Sequence, residues 1–139
     1  MRAEIRVTVD APDTDLWVKV YDVAPDGTAY NLMSPGLDVL RASYRNGRPE
    51  RELLQPNKVY ALRFNDLFTA NTFKKGHRIR VAVMTTFRPH FSANLQSGDL
   101  EATSSRTRIA HVTVHHDDRF PSRLILPVLP ASAMLSAAK

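Results

Sequence analysis

Cysteine is absent from the 139 residues. That excludes disulfide frameworks, thiolate zinc sites, iron–sulfur ligation and cysteine nucleophiles, and it leaves the redox compartment unreadable. No apolar run approaches the roughly 18 residues that a membrane helix needs. The opening MRAEIRVTVD alternates apolar with polar instead of forming the apolar block of a signal peptide. The chain therefore reads as soluble, unexported and cytoplasmic, with no membrane partner.

The motifs that announce catalysis are missing as well. There is no G-x-S-x-G nucleophile elbow, no phosphate-cradling G-x-x-x-x-G-K-[ST], no G-x-G-x-x-G and no H-E-x-x-H. No residue is assigned a catalytic role, and no cofactor is implied. Charge is plentiful but not blocked. The formal net charge is +5, yet arginines are scattered from Arg2 to Arg123 and interrupted by Asp13, Asp15, Asp22, Asp26, Asp66, Asp99, Asp117 and Asp118. Nucleic-acid binding draws on clustered cations, so this pattern points to an ion-paired surface and away from a nucleic-acid partner.

What is present is turn chemistry at short intervals. Pro12, Pro25-Asp26-Gly27, Pro35-Gly36, Asn46-Gly47, Pro56-Asn57, Gly76, Pro89, Gly98 and Pro121 punctuate the chain and favour short strands over long helices. Between them apolar residues recur at period two, the mark of half-buried strands. Ile5, Val7 and Val9 form one such set, and Leu16, Val18 and Val20 another. Tyr60, Leu62 and Phe64, then Ile79, Val81 and Val83, then Val112 and Val114 complete the series. Leu37 to Arg45 fits either a helical stripe or a strand, and a strand is favoured. Arg123 to Val128 is apolar on both sides, which predicts cover on both faces, with Pro127 at an edge or end.

Seven or eight short antiparallel strands in a chain this long require a sandwich or barrel, because a single open sheet would leave one apolar face wet. The expectation is all-β, a two-sheet sandwich over residues 1–130, followed by a flexible Ala-rich tail over 131–139.

Several constellations invite chemistry. His111, His115 and His116 suggest a metal, but in a strand His111 and His115 stand about 13 Å apart while His115 and His116 point to opposite faces; surface imidazoles are the simpler reading, and no metal is assigned. Asp13, Asp15, Asp22 and Asp26 could form an oxygen cluster for Ca²⁺, although the spacing matches no EF-hand loop and Asp26 is already explained by its turn. His77 follows Gly76 at a strand start, where an imidazole bonds a neighbouring loop. Thr86-Phe87-Arg88-Pro89-His90-Phe91 places two aromatics, a His and an Arg in a loop. That segment either caps the sandwich, contacts another domain, or touches a small ligand. Trp17 lies opposite Leu16 and Val18, so it is either an outer face covered by something or part of a second layer. Trp17, Phe87, His90, Phe91 and Asn94 are the candidate binding residues.

Asn71-Thr72-Phe73-Lys74-Lys75-Gly76-His77-Arg78-Ile79-Arg80-Val81 resembles the non-catalytic C-terminal domain of the X-Pro dipeptidyl-peptidase and cocaine-esterase family of serine hydrolases, whose stretch reads much like F-x-x-G-H-R-I-R-V. Further blocks agree in order: Ala11 to Leu16 with Asp22 to Gly27 and Tyr30 to Leu32, Leu40 to Arg45, Phe91 to Asn94 running to Ser97-Gly98, and Pro121 to Pro127. The resemblance implies a jelly-roll, galactose-binding-like β-sandwich that packs against an α/β-hydrolase domain bearing the Ser-His-Asp triad, in the same parent chain or as a separate subunit. In that family the sandwich shapes the substrate cleft, supports oligomers and supplies none of the triad. Measured against the family, the hydrolase domain is missing and Met1 falls after the sandwich's earliest strands. The expectation is a fragment, truncated product or split-enzyme part with an unpaired sheet edge or bare apolar strip, prone to self-association or to docking on a hydrolase. A stand-alone carbohydrate- or ligand-binding sandwich is the reading from a different class, and a small hydrolase in its own right is a third.

Overall fold

The computed structural model describes residues 1–33 and 38–130. Eight strands follow in order: β1 (Arg2–Val9), β2 (Asp15–Val23), β3 (Ala29–Asn31), β4 (Val39–Arg41), β5 (Val59–Phe64), β6 (Arg78–Met84), β7 (Val112–His115) and β8 (Arg123–Ile125). A single 3-10 turn at Ala42–Tyr44 follows β4, and there is no α-helix among the described residues. The all-β expectation holds. Within the ambiguous stretch, Val39–Arg41 is strand and Ala42–Tyr44 is helical turn, so the two patterns each govern half of it; Leu37 and the Pro35-Gly36 turn lie outside the described residues, as does 131–139.

Two antiparallel sheets form around two central strands. β1 pairs with β5 along one edge, and its other edge is shared by β7, opposite Arg6–Val9, and β8, opposite Arg2–Glu4. β2 likewise takes β6 along one edge and divides the other between β4, opposite Asp15–Trp17, and β3, opposite Tyr21–Val23. Period-two alternation turns Ile5, Val7 and Val9 of one sheet and Leu16, Val18 and Val20 of the other into a common core with Leu62 and Phe64 of β5. Burying such side chains supplies roughly 1.5–3 kcal/mol each, and this interior defines the sandwich.

The chain passes from one sheet to the other through Asp10–Thr14, and a buried carboxylate holds that corner. Asp13 Oδ1 accepts hydrogen bonds from the backbone amides of Thr14 and Ser43, both at 2.9 Å, and Oδ2 accepts one from Ser43 Oγ at 2.9 Å. Arg51 stands 3.4 Å from Oδ2 and donates to the Gly98 carbonyl at 3.0 Å. Gly98 itself sits at φ +81°, where an added Cβ would lie 3.0 Å from Pro12 Cβ, so the corner admits only glycine there without displacement.

Two apolar patterns behave differently from expectation. Ile79 and Val81 of β6 lie on the core side, opposite Asp22 and Val20, yet are 45% and 42% exposed. β6 is the outer strand of its sheet among the described residues, and the facing β1 sheet does not reach far enough to cover its core side there. The Arg123 to Val128 run is not covered on both faces: only Leu124 packs on the core, while Ile125 and Val128 are exposed. β8 is a three-residue edge strand, and an edge strand has one core to face.

The corner predicts its own stability signature. Asp13→Ala should lower unfolding free energy by roughly 3 kcal/mol, because it strands buried donors and an arginine. Asp26→Ala, at an exposed turn where the carboxylate bonds Thr28 within the turn itself, should cost under about 1 kcal/mol. Urea denaturation of both variants, with and without added Ca²⁺, checks this; equal losses, or Ca²⁺ protection of the parent chain, would contradict the corner's description.

Candidate functional site

The outer face of β2 is where the candidate residues meet. Trp17 is buried to 3% exposure although it points away from the core, because the segment after β6 folds back over it. The Phe87 and Phe91 ring centroids stand 5.3 Å and 4.7 Å from the Trp17 ring, tilted by 46° and 52°, and Phe87 and Phe91 stack at 6.2 Å. His90 lies 5.1 Å from Phe87 and is exposed. The Phe91 amide donates to the Phe87 carbonyl at 3.1 Å, closing the segment into a compact turn across the cis Arg88–Pro89 bond. Tilted aromatic pairs at these separations are worth about 0.5–1.5 kcal/mol beyond the area they bury. The phenylalanines cover the outside of a sheet, so the sandwich end that the sequence offered as one alternative is not where they sit.

Beneath the same rings lies a cation. Lys19, two residues along β2, is 1% exposed and ion-paired with Asp38, and its Nζ sits 4.3 Å from the Phe87 centroid and 5.7 Å from that of Trp17. A buried ammonium persists only with a counter-ion and good company, and the ring faces supply the second through cation–π attraction. Phe87 therefore serves the lysine below as well as the tryptophan beside it.

Asn94 joins the cluster through a polar seam. Its Nδ2 donates to Asp15 Oδ1 at 2.9 Å, and its Oδ1 accepts from the Gln96 amide at 2.7 Å. Asp15 also receives both Nε and Nη2 of Arg41, at 2.8 and 3.2 Å, while Arg41 reaches Glu101 at 2.7 Å. Hydrogen bonding to Asp15, working against burial, raises the Arg41 pKa further above its ordinary value. The result is a loop spanning 85–101, clipped at one end by aromatic stacking and at the other by a bidentate ion pair. An open depression of about 380 Å³ lies between these fixtures, lined by Asp15, Trp17, Val39, Arg41, Phe91 and Ser92. Of the five candidate binding residues Trp17 and Phe91 line this depression, Phe87 and His90 follow through ring contacts, and Asn94 is tied to it from beneath through Asp15. Asp15, Arg41, Lys19 and Glu101 complete the cluster, and only their pairing across strands, invisible in linear order, could have marked them.

The other constellations disperse. Asp15, Asp22 and Asp26 each have separate partners, Arg41, His77 and Thr28, and Asp13 holds the sheet-switching corner. His77 Nδ1 lies 2.8 Å from Asp22 and Asn71 donates to the same carboxylate at 3.2 Å; burial raises the Asp22 pKa, and these hydrogen bonds outweigh it to leave the net shift downward. His111 bonds Asp10, whereas His115 Nε2 lies 2.6 Å from Thr8 Oγ1. That last pair is a hydroxyl beside an imidazole, but among the described residues no carboxylate hydrogen-bonds His115: Asp117 accepts from the backbone amides of Arg119 and Phe120. Among the described residues no three His, Asp or Glu side chains converge on a metal-sized space, and no helix is long and apolar enough to cross a membrane.

Comparison with known proteins matches this architecture. The family of X-Pro dipeptidyl-peptidase C-terminal non-catalytic domains matches residues 1–125. A cocaine esterase of Rhodococcus sp. (strain MB1 Bresler) is 30% identical over 129 residues, which is 91% of this chain and 22% of the esterase. The chain thus spans about a fifth of the length of that relative.

Two outcomes follow from the loop's geometry. Trp17 is the single tryptophan, so its emission reports the cover directly: Phe87→Ala with Phe91→Ala should shift emission to longer wavelength, raise iodide quenching, and cost roughly 2–4 kcal/mol in all. An unchanged spectrum in the folded double variant would mean the rings do not cover Trp17. Further along, Arg106 and Ser104 hold the Asp99 carboxyl down at about 2, against an ordinary 3.8. Its folded pKa is depressed, so its stabilisation is present above about 3.8 and is lost as pH falls through about 2. Carboxyl NMR titration should find Asp99 ionised at pH 3; a midpoint at or above 3.8 would refute the pairing.

Proposed function

Because the chain belongs to the family of X-Pro dipeptidyl-peptidase C-terminal non-catalytic domains, we propose that it serves as the accessory, jelly-roll-type module of a serine hydrolase of the X-Pro dipeptidyl-peptidase and acyl-esterase class. In this reading the loop around Phe87 to Phe91 shapes the substrate cleft and makes inter-domain contact, and bond cleavage belongs to an α/β-hydrolase domain. The observation that carries the proposal is the family match over residues 1–125 to a domain described as non-catalytic. The geometry agrees with it. Phe91 and His90 are exposed on a loop that is otherwise tied down by Trp17, Asp15 and Arg41, which is how a rigid scaffold presents a contact surface.

Trp17 is only 3% exposed and its ring is stacked by Phe87 and Phe91, so it gives a stand-alone carbohydrate site no open platform. The bare core-side residues Ile79 and Val81, next to the unpaired outer edge of β6, support a protein partner or a second copy instead.

Turnover separates the readings. The purified chain should hydrolyse neither an aryl ester nor an X-Pro anilide above background. Hydrolysis abolished by a serine-directed inhibitor would overturn the accessory role. Light scattering on a size-exclusion column should give a mass above the 15.6 kDa of one chain, and Val81→Lys should return it to that value. A monodisperse monomer at high concentration would remove the support that β6 gives to a partner.

A further inference from the structure

Strand pairing gathers charges that the sequence disperses. On β1 the residues between the buried Ala3, Ile5 and Val7 point outward, which puts Arg2, Glu4 and Arg6 on the exposed face of the first sheet. Glu4 has Arg63 of β5 directly opposite on one side and Arg123 of β8 on the other. Residues directly opposite in an antiparallel pair share a face. Four arginines thus surround one glutamate in a diamond, about 13 Å long from Arg2 to Arg6 and about 10 Å wide from Arg63 to Arg123 at the backbone. Glu4 accepts from Arg6 at 2.7 Å and from Arg63 at 2.9 Å. Among the described residues neither Arg2 nor Arg123 makes a side-chain hydrogen bond or a close ion pair, although Arg123 stands within the field of Glu4, and both are exposed. The remaining outward positions of this sheet are Thr8, Val59, Ala61, Thr113, His115 and Ile125, with no second acid among them. Three of the chain's five formal net positive charges are concentrated here.

We propose that this face docks an acidic protein surface, with Arg2 and Arg123 taking carboxylates of the partner. Guanidinium forks match carboxylates in bidentate geometry, and Arg2 and Arg123 can do so without breaking a hydrogen bond to Glu4, which Arg6 and Arg63 supply. The layout fits a protein better than a nucleic acid or a lipid surface. A polyphosphate backbone is tracked by cations lined along a groove with aromatics for the bases. Here the diamond is closed on a central carboxylate, and the one ring at an outward position, the His115 imidazole, is already engaged by Thr8 and by the edge of Phe120.

Fluorescence anisotropy of labelled poly-L-glutamate at about 50 mM salt tests the assignment on the full chain. Arg2→Glu with Arg123→Glu should weaken binding roughly tenfold or more, and Glu4→Gln should tighten it, because it removes the one repelling charge. Arg78→Glu with Arg80→Glu is the matched control, since it makes the same charge change on β6; its effect should stay within about threefold. Circular dichroism and thermal melting confirm that each variant folds. Equal losses in the two double variants would show diffuse charge and overturn the proposal, as would absence of binding by the parent chain. The same variants titrated with duplex DNA and phosphatidylserine vesicles complete the test. If either responds to Arg2→Glu with Arg123→Glu as strongly as poly-L-glutamate does, the face is a general polyanion site and the acidic-protein assignment falls.

Discussion

The buried Asp13 carboxylate is the constraint on which the architecture turns. Consecutive strands β1 and β2 lie in opposite sheets, so the chain must reverse its hydrogen-bonding allegiance within Asp10–Thr14, with Ala11, Asp13 and Thr14 buried. Backbone groups at such a switch lose their ladder partners, and an unsatisfied buried donor costs about 1–3 kcal/mol. Asp13 resolves this by accepting from two amides and a hydroxyl. The Thr14 carbonyl accepts from Ala42 and the Pro12 carbonyl from Leu54. Through Arg51 the same carboxylate reaches the loop at Gly98, which begins where the aromatic segment ends. A single side chain therefore fixes the corner, the start of the 3-10 turn and one anchor of the candidate surface.

The strand that leaves this corner, β2, is buried on both faces. Its core side packs on the first sheet, and its outer side carries Trp17 and Lys19, neither of which is left to water. A lysine in that position has no benign solvent exit, so it requires Asp38 and the face of Phe87 together. The aromatic cover is thus imposed by the strand beneath it as much as by any partner. Phe91 and His90, at the far end of the same cover, remain available. A rigid inner half and an exposed outer half suit a loop that must present the same shape to a neighbouring domain each time.

The sequence pattern carried the strands and their inward faces because period two is a local property: Ile5, Val7 and Val9, or Tyr60, Leu62 and Phe64, need no knowledge of the partner. It failed at Ile79 and Val81, since alternation tells which face is apolar and not whether a second sheet extends over it. It failed at Arg123 to Val128 for a related reason, because an edge strand and a central strand are equally apolar when read alone. The candidate surface was half legible. Phe87, His90, Phe91 and Trp17 stood out by type, and Asn94 through family resemblance. Their convergence depends on contacts between residues 70 or more positions apart, such as Trp17 with Phe87 and Asp15 with Asn94. The arginine diamond was hidden altogether, since Arg2, Arg63 and Arg123 become neighbours only once β5 and β8 flank β1 in a defined register.

The two outward faces of the sandwich consequently have opposite characters, for reasons that lie in register rather than composition. On the second sheet the outward row of β2 is large and partly apolar, and a loop must cover it. On the first sheet the outward row of β1 is short of apolar surface and already paired through Glu4, so it gains nothing from a loop and stays open. A cationic sheet costs little while Glu4 bonds two of its arginines and lies in the field of a third, and surface ion pairs of that kind contribute only about 0–1 kcal/mol to stability. Retaining Arg2 and Arg123 beside them without hydrogen-bond partners is therefore close to neutral for folding. Their main physical consequence is the field they project. For a domain family described as non-catalytic, shape on one face and charge on the other are the properties through which the module can act on what it touches.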